Sequence, residues 1–369
     1  MRFLHLSFAR SAILLLFVAS VFSCTSVEDE KPRNIILLIG DGVGFAHVTA
    51  AHYELDGLQM NRTPYSGAIY THSEDALVTG SASSATAMAT GFKTNNRMLG
   101  QLPDGTPLQS IAHYASELGK STALKATCRI THATPAAFAV AHDDRGEEFE
   151  IAEKMADSGI DMLLGAGWQY FLPENQGGER PDDRNLIDEM GDMGYIYIDD
   201  EEDLDQMQGQ DRVIAFLESD NLKRYPERGD QSNRLTMSAL QELSRNPEGF
   251  FMMIEGSMID WAGHGNDPEY MIQEFEDFDN VVGDVLDFAE NDGNTLVIIT
   301  SDHETGGLTL TGYFDELEYH WSTDGHSAAM VPVYSYGPSA EKFSGTYDNT
   351  ELARRMFSLW GKEITPSLH

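Results

Sequence analysis

Residues 250–264 read FFMMIEGSMIDWAGH, and this stretch decides the fold class. Phe250–Ile254 is apolar throughout, as expected of a strand buried on both faces of a parallel sheet. Glu255 ends the run, and Asp260 and His264 follow four residues apart, so one helical turn puts them on the same face. Working outward, the pattern recurs. IILLIGDG ends in Asp41 and LVIITSDH ends in Asp302 and His303. Strand ends form the rim where open α/β sheets hold their ligands.

Further strands are expected at Ala68–Thr71, Ser121–Ala126, Asp161–Leu164 and Pro332–Tyr336, beside Ile35–Ile39 and Leu296–Thr300. Helices are expected at Ser81–Thr90, Leu108–Leu118, Glu147–Ser158, Met237–Ser244, Tyr270–Ala289 and Thr350–Leu359. This alternation gives the fold class as α/β, a three-layer αβα sandwich with a large, mostly parallel central sheet and helices on both faces. Residues 166–235, rich in Gly, Asp, Arg and Pro, read as excursions over the sheet edge.

The N-terminus reads as an address rather than as structure. Arg2 and Arg10 precede AILLLFVASVF, a run too short to span a bilayer comfortably, and Ser23-Cys24 follow. VFSC resembles a bacterial lipoprotein box. Residues 1–23 are thus expected to be a signal peptide, with Cys24 lipidated, 24–33 a tether and 34–369 a single catalytic domain. The protein is expected to be exported, as a periplasmic or outer-membrane lipoprotein whose only membrane contact is the anchor at Cys24. Cys128 is then the one remaining cysteine, expected to be a buried small residue, and no internal disulfide can form.

The formal net charge of −36 excludes a nucleic-acid backbone as partner, since such backbones are bound by Lys and Arg. An anionic substrate would meet general repulsion, so its site must be locally positive through metals or a placed arginine.

Asp41, Glu255, Asp260, Asp302, His264, His303 and His326 (the last in TDGHS) on one rim would be an electrostatic liability without cations. Their mixed oxygen and nitrogen donors suffice for more than one divalent ion. Ser81 opens a helix of small residues, TGSASSATAMATG, whose first free N–H groups favour phosphate or an ionised serine oxygen. No GxSxG elbow or Ser–His–Asp order accompanies it, which leaves metal assistance as the route to a nucleophile. In CRITHATPAAFAVAHDDR, Thr134 beside His132 offers a hard oxygen ligand, and Arg145 offers a fork for phosphate. By spacing alone, Arg145 is a surface charge partnered by Asp143 or Asp144.

The ordered set NIILLIGDG, TGSASSATAMATG, THATPAAFAVAH with its following Arg, IEGSMIDWAGH, TSDHETGG and TDGHS resembles the bacterial alkaline phosphatases over about residues 33–360. The resemblance implies an alkaline-phosphatase-like fold and hydrolysis of small phosphate monoesters, broad in substrate and working at alkaline pH. It also implies a phosphoserine on Ser81, two Zn²⁺ and one Mg²⁺, and commonly a homodimer. Asp260, His264 and His326 would hold one zinc. Asp41, Asp302 and His303 would hold the other. Asp41, Thr134 and Glu255 would hold Mg²⁺, and Arg145 would clamp the phosphoryl group. The chain departs from many members at Gly80, where an Asp helps hold that arginine, and at His132 and Trp261 near the third metal. The neighbouring readings are a phosphodiesterase or sulfatase of the same superfamily, and a non-catalytic metal- or phosphate-binding surface lipoprotein. The sulfatase pattern needs an arginine that Ser81-Ala-Ser-Ser-Ala lacks.

Overall fold

The computed structural model describes residues 31–313 and 316–364; the expected signal peptide, Cys24 and most of the tether lie outside the described residues. The last tether residues are docked: Arg33 N donates to Asn294 O at 2.9 Å, and Trp360 Nε1 donates to Pro32 O at 3.0 Å.

The strand Asn34–Gly40 is buried at every residue and explains why the sheet forms around it. Ile35, Leu37 and Ile39 enter one hydrophobic cluster, while Ile36 and Leu38 enter the other. A period of two thus sends alternate side chains into the cores above and below the sheet. Each such burial contributes about 1.5–3 kcal/mol against exposure. Phe250–Gly256 and Thr295–Thr300 flank this strand in parallel and divide their apolar residues between the same two clusters.

The full sheet has 10 strands. Their order is Gly345–Asp348, Tyr65–Tyr70, Val331–Tyr336, Thr295–Thr300, Asn34–Gly40, Phe250–Gly256, Ser121–Arg129, Met162–Ala166, Val213–Phe216, Ile196–Ile198. All pairings are parallel except the two made by Val331–Tyr336. Every strand and helix expected from sequence is present, the helices Ser81–Thr90 and Thr350–Leu359 at the expected bounds and Pro268–Asp292 and Gln231–Leu243 longer than expected.

Residues 166–235 depart from expectation. They supply Val213–Phe216 and Ile196–Ile198, which extend the sheet instead of running over its edge. Such short strands carry too few residues to show a period, and the pairing itself holds them. Two small antiparallel sheets stand apart, Thr309–Tyr313 with Glu316–His320, and Glu304–Thr305 with His326–Ser327. The second brings His326 beside Thr305 in register. Among the described residues no helix is long and apolar enough to cross a membrane.

Candidate active site

Three adjacent central strands deliver the acids. Asp41 follows Asn34–Gly40, Glu255 is the next-to-last residue of Phe250–Gly256, and Asp302-His303 follow Thr295–Thr300. The chain must turn sharply after Asp41, and Gly42 does so at φ +82°. A Cβ there would meet the Asp260 Cα at 2.7 Å, so only glycine lets the two segments approach. Gly42 N in turn donates to Asp302 Oδ1 at 3.2 Å.

Ser81 is the first residue of a helix whose residues, Ser81–Thr90, are all buried. Their small side chains let it pack against Ala133–Ala139 and Thr350–Leu359. Ser81 Oγ lies 3.2 Å from His303 Nε2. That nitrogen is also 3.1 Å from Asp302 Oδ2 and 3.5 Å from Asp41 Oδ1, all with fully buried side chains.

A second group adjoins the first. His264 Nε2 lies 3.3 Å from Asp260 Oδ2, His326 Nε2 lies 3.5 Å from Asp260 Oδ1, and the two Nε2 atoms are 3.2 Å apart. The other ring nitrogens meet carbonyls, His264 Nδ1 with Asp324 O at 2.6 Å and His326 Nδ1 with Thr79 O at 2.8 Å. A carbonyl accepts only, so both Nδ1 atoms carry protons and both Nε2 atoms face inward. The His303 and His326 rings stack at 3.5 Å between centroids, which joins the groups.

The third group lies behind Asp41. Glu255 is fully buried, with Cys128 Sγ 3.5 Å from its Oε2. Cys128, His132 and Glu255 bring potential ligand atoms within 4.8 Å of one another, as do Asp41, Asp302, His303 and Asp260, His303, His326. Thr134 is fully buried here, its hydroxyl acting on the Glu255 carboxyl without a full hydrogen bond. Trp261 meets the His132 ring edge-on at 6.4 Å and offers no donor to a cation. Arg145 does not pair with its neighbouring acids as spacing suggested. Asp144 pairs with Arg97 and Asp143 accepts from Gln101, whereas Arg145 Nη2 lies 2.6 Å from His132 Nε2. Where an acid could have held that arginine, Gly80 N donates to Asn96 Oδ1 at 2.7 Å.

The electrostatics are those of a site that lacks positive charge. Burial, then Asp302, Asp260 and Glu255, push the Asp41 carboxyl well above its usual range. Burial raises Glu255 to about 7. Burial also opposes ionisation of Asp260, yet hydrogen bonds with His264 and His326 outweigh it and hold that carboxyl well below the usual range. The Asp260 contact lifts His264 to about 9. Burial, with Arg145 and Arg129, keeps His132 neutral, its pKa well below the usual value.

Both Asp41 oxygens, Asp302 Oδ2, Glu255 Oε1 and the Thr134 hydroxyl are buried without any hydrogen-bond partner. An unpaired buried carboxylate is costly, and several converging on one rim are the donor set of divalent ions. The donor sets around Asp260 and Asp41 therefore fit the two zinc ions that the resemblance implies, and the third group would take a further divalent ion.

Sequence reasoning had singled out all of these groups except Cys128 as a donor and Thr305, whose hydroxyl lies 3.2 Å from His303 Nδ1. Its place two residues after His303 was the only signal available.

A serine hydroxyl among buried acids and imidazoles, at the carboxyl edge of a parallel sheet, defines a hydrolytic enzyme built to receive cations. The alkaline phosphatase family profile matches residues 32–317 and 312–361. Alkaline phosphatase 3 of Bacillus subtilis (strain 168) is 32% identical, over 89% of this chain and 89% of its own. The structure of alkaline phosphatase from the Antarctic bacterium TAB5 superposes with a TM-score of 0.85 at 37% identity, covering 89% of this chain and 98% of its own. A mutant of the TAB5 enzyme, solved with Mg bound in the M3 site, matches with the same TM-score at 36% identity and the same coverage of both chains. The chain belongs to the alkaline phosphatase family, whose members are phosphoric monoester hydrolases.

Proposed function

We propose that the protein hydrolyses a broad range of small phosphate monoesters at alkaline pH, through a phosphoserine on Ser81. The single observation that carries this reading is the Ser81 hydroxyl, 3.2 Å from His303 Nε2 and set among orphaned buried carboxylates. Asp260, His264 and His326 would hold one zinc and Asp41, Asp302 and His303 a second. Asp41, Thr134 and Glu255 would hold a third divalent ion. Divalent ions bound there supply the charge that steadies phosphoryl oxygens and acidifies a hydroxyl.

The chain's own residues do the rest. Ser81 Oγ attacks phosphorus in line while the ester oxygen departs, taking up, in net terms, the proton that the serine loses. Water then cleaves the phosphoserine, restoring Ser81 and releasing phosphate. The first-turn N–H groups of the Ser81–Thr90 helix face the anion. Arg145, released from His132, forks onto two phosphoryl oxygens. The Asp324 and Thr79 carbonyls keep the imidazoles turned inward.

The test is a zinc- and magnesium-loaded preparation assayed on p-nitrophenyl phosphate, its bis-ester and its sulfate analogue. Monoester turnover with phosphate trapped on Ser81 supports the reading. Preference for the bis-ester, or continued trapping in Ser81→Ala, overturns it. We further propose export as a lipoprotein anchored through Cys24, and assembly as a homodimer. Failure of a lipid precursor to label the full chain would sink the first, and a monomeric mass in solution the second.

A further inference from the structure

We infer that Cys128 is a ligand of the third metal site, so that together with His132 and Glu255 it takes a zinc-like, thiophilic divalent ion rather than the magnesium that an all-oxygen shell prefers. The inference rests on the proposed function and deepens it.

Cys128 lies at the end of the Ser121–Arg129 strand, the immediate neighbour of the Phe250–Gly256 strand that carries Glu255. It is fully buried and reduced, so neither oxidation nor a disulfide explains its position. Its sulfur is 3.5 Å from Glu255 Oε2. A thiol is a weak donor to a buried carboxylate, and even with Ser257 and Thr134 acting on it Glu255 is pushed up to about 7.

The independent observation is what surrounds the sulfur. Glu255 Oε1 and the Thr134 hydroxyl are fully buried and make no hydrogen bond, and His132 Nδ1 is likewise unpartnered. Ligand atoms of Cys128, His132 and Glu255 fall within 4.8 Å of one another, close enough to share one ion. The ranking of donors then decides the metal. Magnesium demands six hard oxygens in a near-ideal octahedron, and neither imidazole nor sulfur supplies them. Thiolate, imidazole and carboxylate are the donors of tetrahedral zinc, at about 2.0–2.3 Å each.

On binding, the ion replaces the thiol proton, which passes to solvent, and no electrons move. Before the ion arrives, burial and the nearby Glu255 hold the sulfur as a neutral thiol.

Cobalt(II) is the probe, because a cobalt–sulfur bond adds a near-ultraviolet charge-transfer band that oxygen and nitrogen ligands lack. The purified protein is stripped of metal and titrated with cobalt, with ions per chain counted alongside. The expected result is a third equivalent whose arrival brings the band. In Cys128→Ser the band is lost, and affinity for the third ion falls by at least the ~10–100-fold that loss of an outer-shell partner costs. Three bound ions without the band, or only two ions bound, overturns the proposal. The wild-type spectrum decides this even if the variant fails to fold. Phosphatase turnover is read separately: activity without the band leaves the function standing and removes Cys128, whereas the band without activity does the reverse.

Discussion

The Thr305 hydroxyl lies 2.5 Å from Asp260 Oδ1, and the same oxygen is 3.2 Å from His303 Nδ1. One buried side chain thus ties the two candidate metal groups together. The polarity is fixed: the hydroxyl donates to the carboxylate and accepts from the imidazole N–H. His303 therefore carries a proton on Nδ1 and turns Nε2 towards Asp41, Asp302 and Ser81.

Thr305→Val keeps the shape and removes this link. It should weaken zinc binding by ~10–100-fold, as outer-shell losses do, and lower kcat more than it raises KM. Thr305→Ser should restore most of both. Metal affinity from chelator competition, with steady-state kinetics, checks this; a valine variant with unaltered zinc affinity would discount the role.

A Cβ at position 42 meets Asp260 Cα at 2.7 Å and Thr305 Oγ1 at 3.0 Å, on a backbone with φ +82°. Gly42→Ala should cost about 1–3 kcal/mol of stability from backbone strain. It should also push Asp41 and Asp260 apart and loosen the metals. Urea unfolding of the metal-free variant reads the first effect and metal titration the second. Wild-type behaviour in both would mean the turn relaxes freely.

These positions show what a sequence can and cannot display. Asp41, Glu255, Asp302 and His303 were legible because they end apolar runs, and a run such as IILLI must be buried on two faces wherever it lies. Helix Ser81–Thr90 was legible to the residue because its small side chains stop at Gly91, which takes φ +83°. His326 carried no local signal, since its place comes from pairing with Thr305 in a two-residue strand. The strands Ile196–Ile198 and Val213–Phe216 were missed for the same reason: their partners, not their residues, define them. Arg145 illustrates the opposite error. Adjacent acids suggested a partner, but Asp144 is occupied by Arg97, a neighbour only in space.

Arg145 Nη2 uses the one lone pair of a neutral His132. A cation held by His132 needs that lone pair, on whichever nitrogen it sits, and so frees the arginine for phosphate. Arg145→Ala should cost about 2–3 kcal/mol in phosphate binding, roughly 30–150-fold in KM and product inhibition. Wild-type protein should bind phosphate more tightly once the third ion is added, and the variant should show no such gain. Equilibrium phosphate binding at two and three ions per chain measures both. Equal gains in the two proteins would uncouple Arg145 from His132.

Lys125 lies on the far side of Glu255 from the rim, fully buried, with its ammonium donating to Ser232 Oγ. Asp277, Arg228, Glu255 and Cys128 act on it, and Arg228 bridges Glu274 and Asp277 at 2.5 and 2.7 Å. Burial lowers the Lys125 pKa to about 8, although Asp277 works to raise it. Between pH 8 and the value near 10.4 of an unfolded lysine, the unfolded chain binds a proton that the folded chain does not. Stability therefore rises with pH across that window, and the charged lysine is a burden below it. Lys125→Met removes the titration, so the difference between the two proteins in the upper window is set chiefly by it. Wild type should gain roughly 3 kcal/mol on the variant between about pH 8 and pH 10.4. Urea unfolding of both chelated proteins at these values makes the comparison. A difference that stays flat through the upper window would show that Lys125 keeps its proton in the fold.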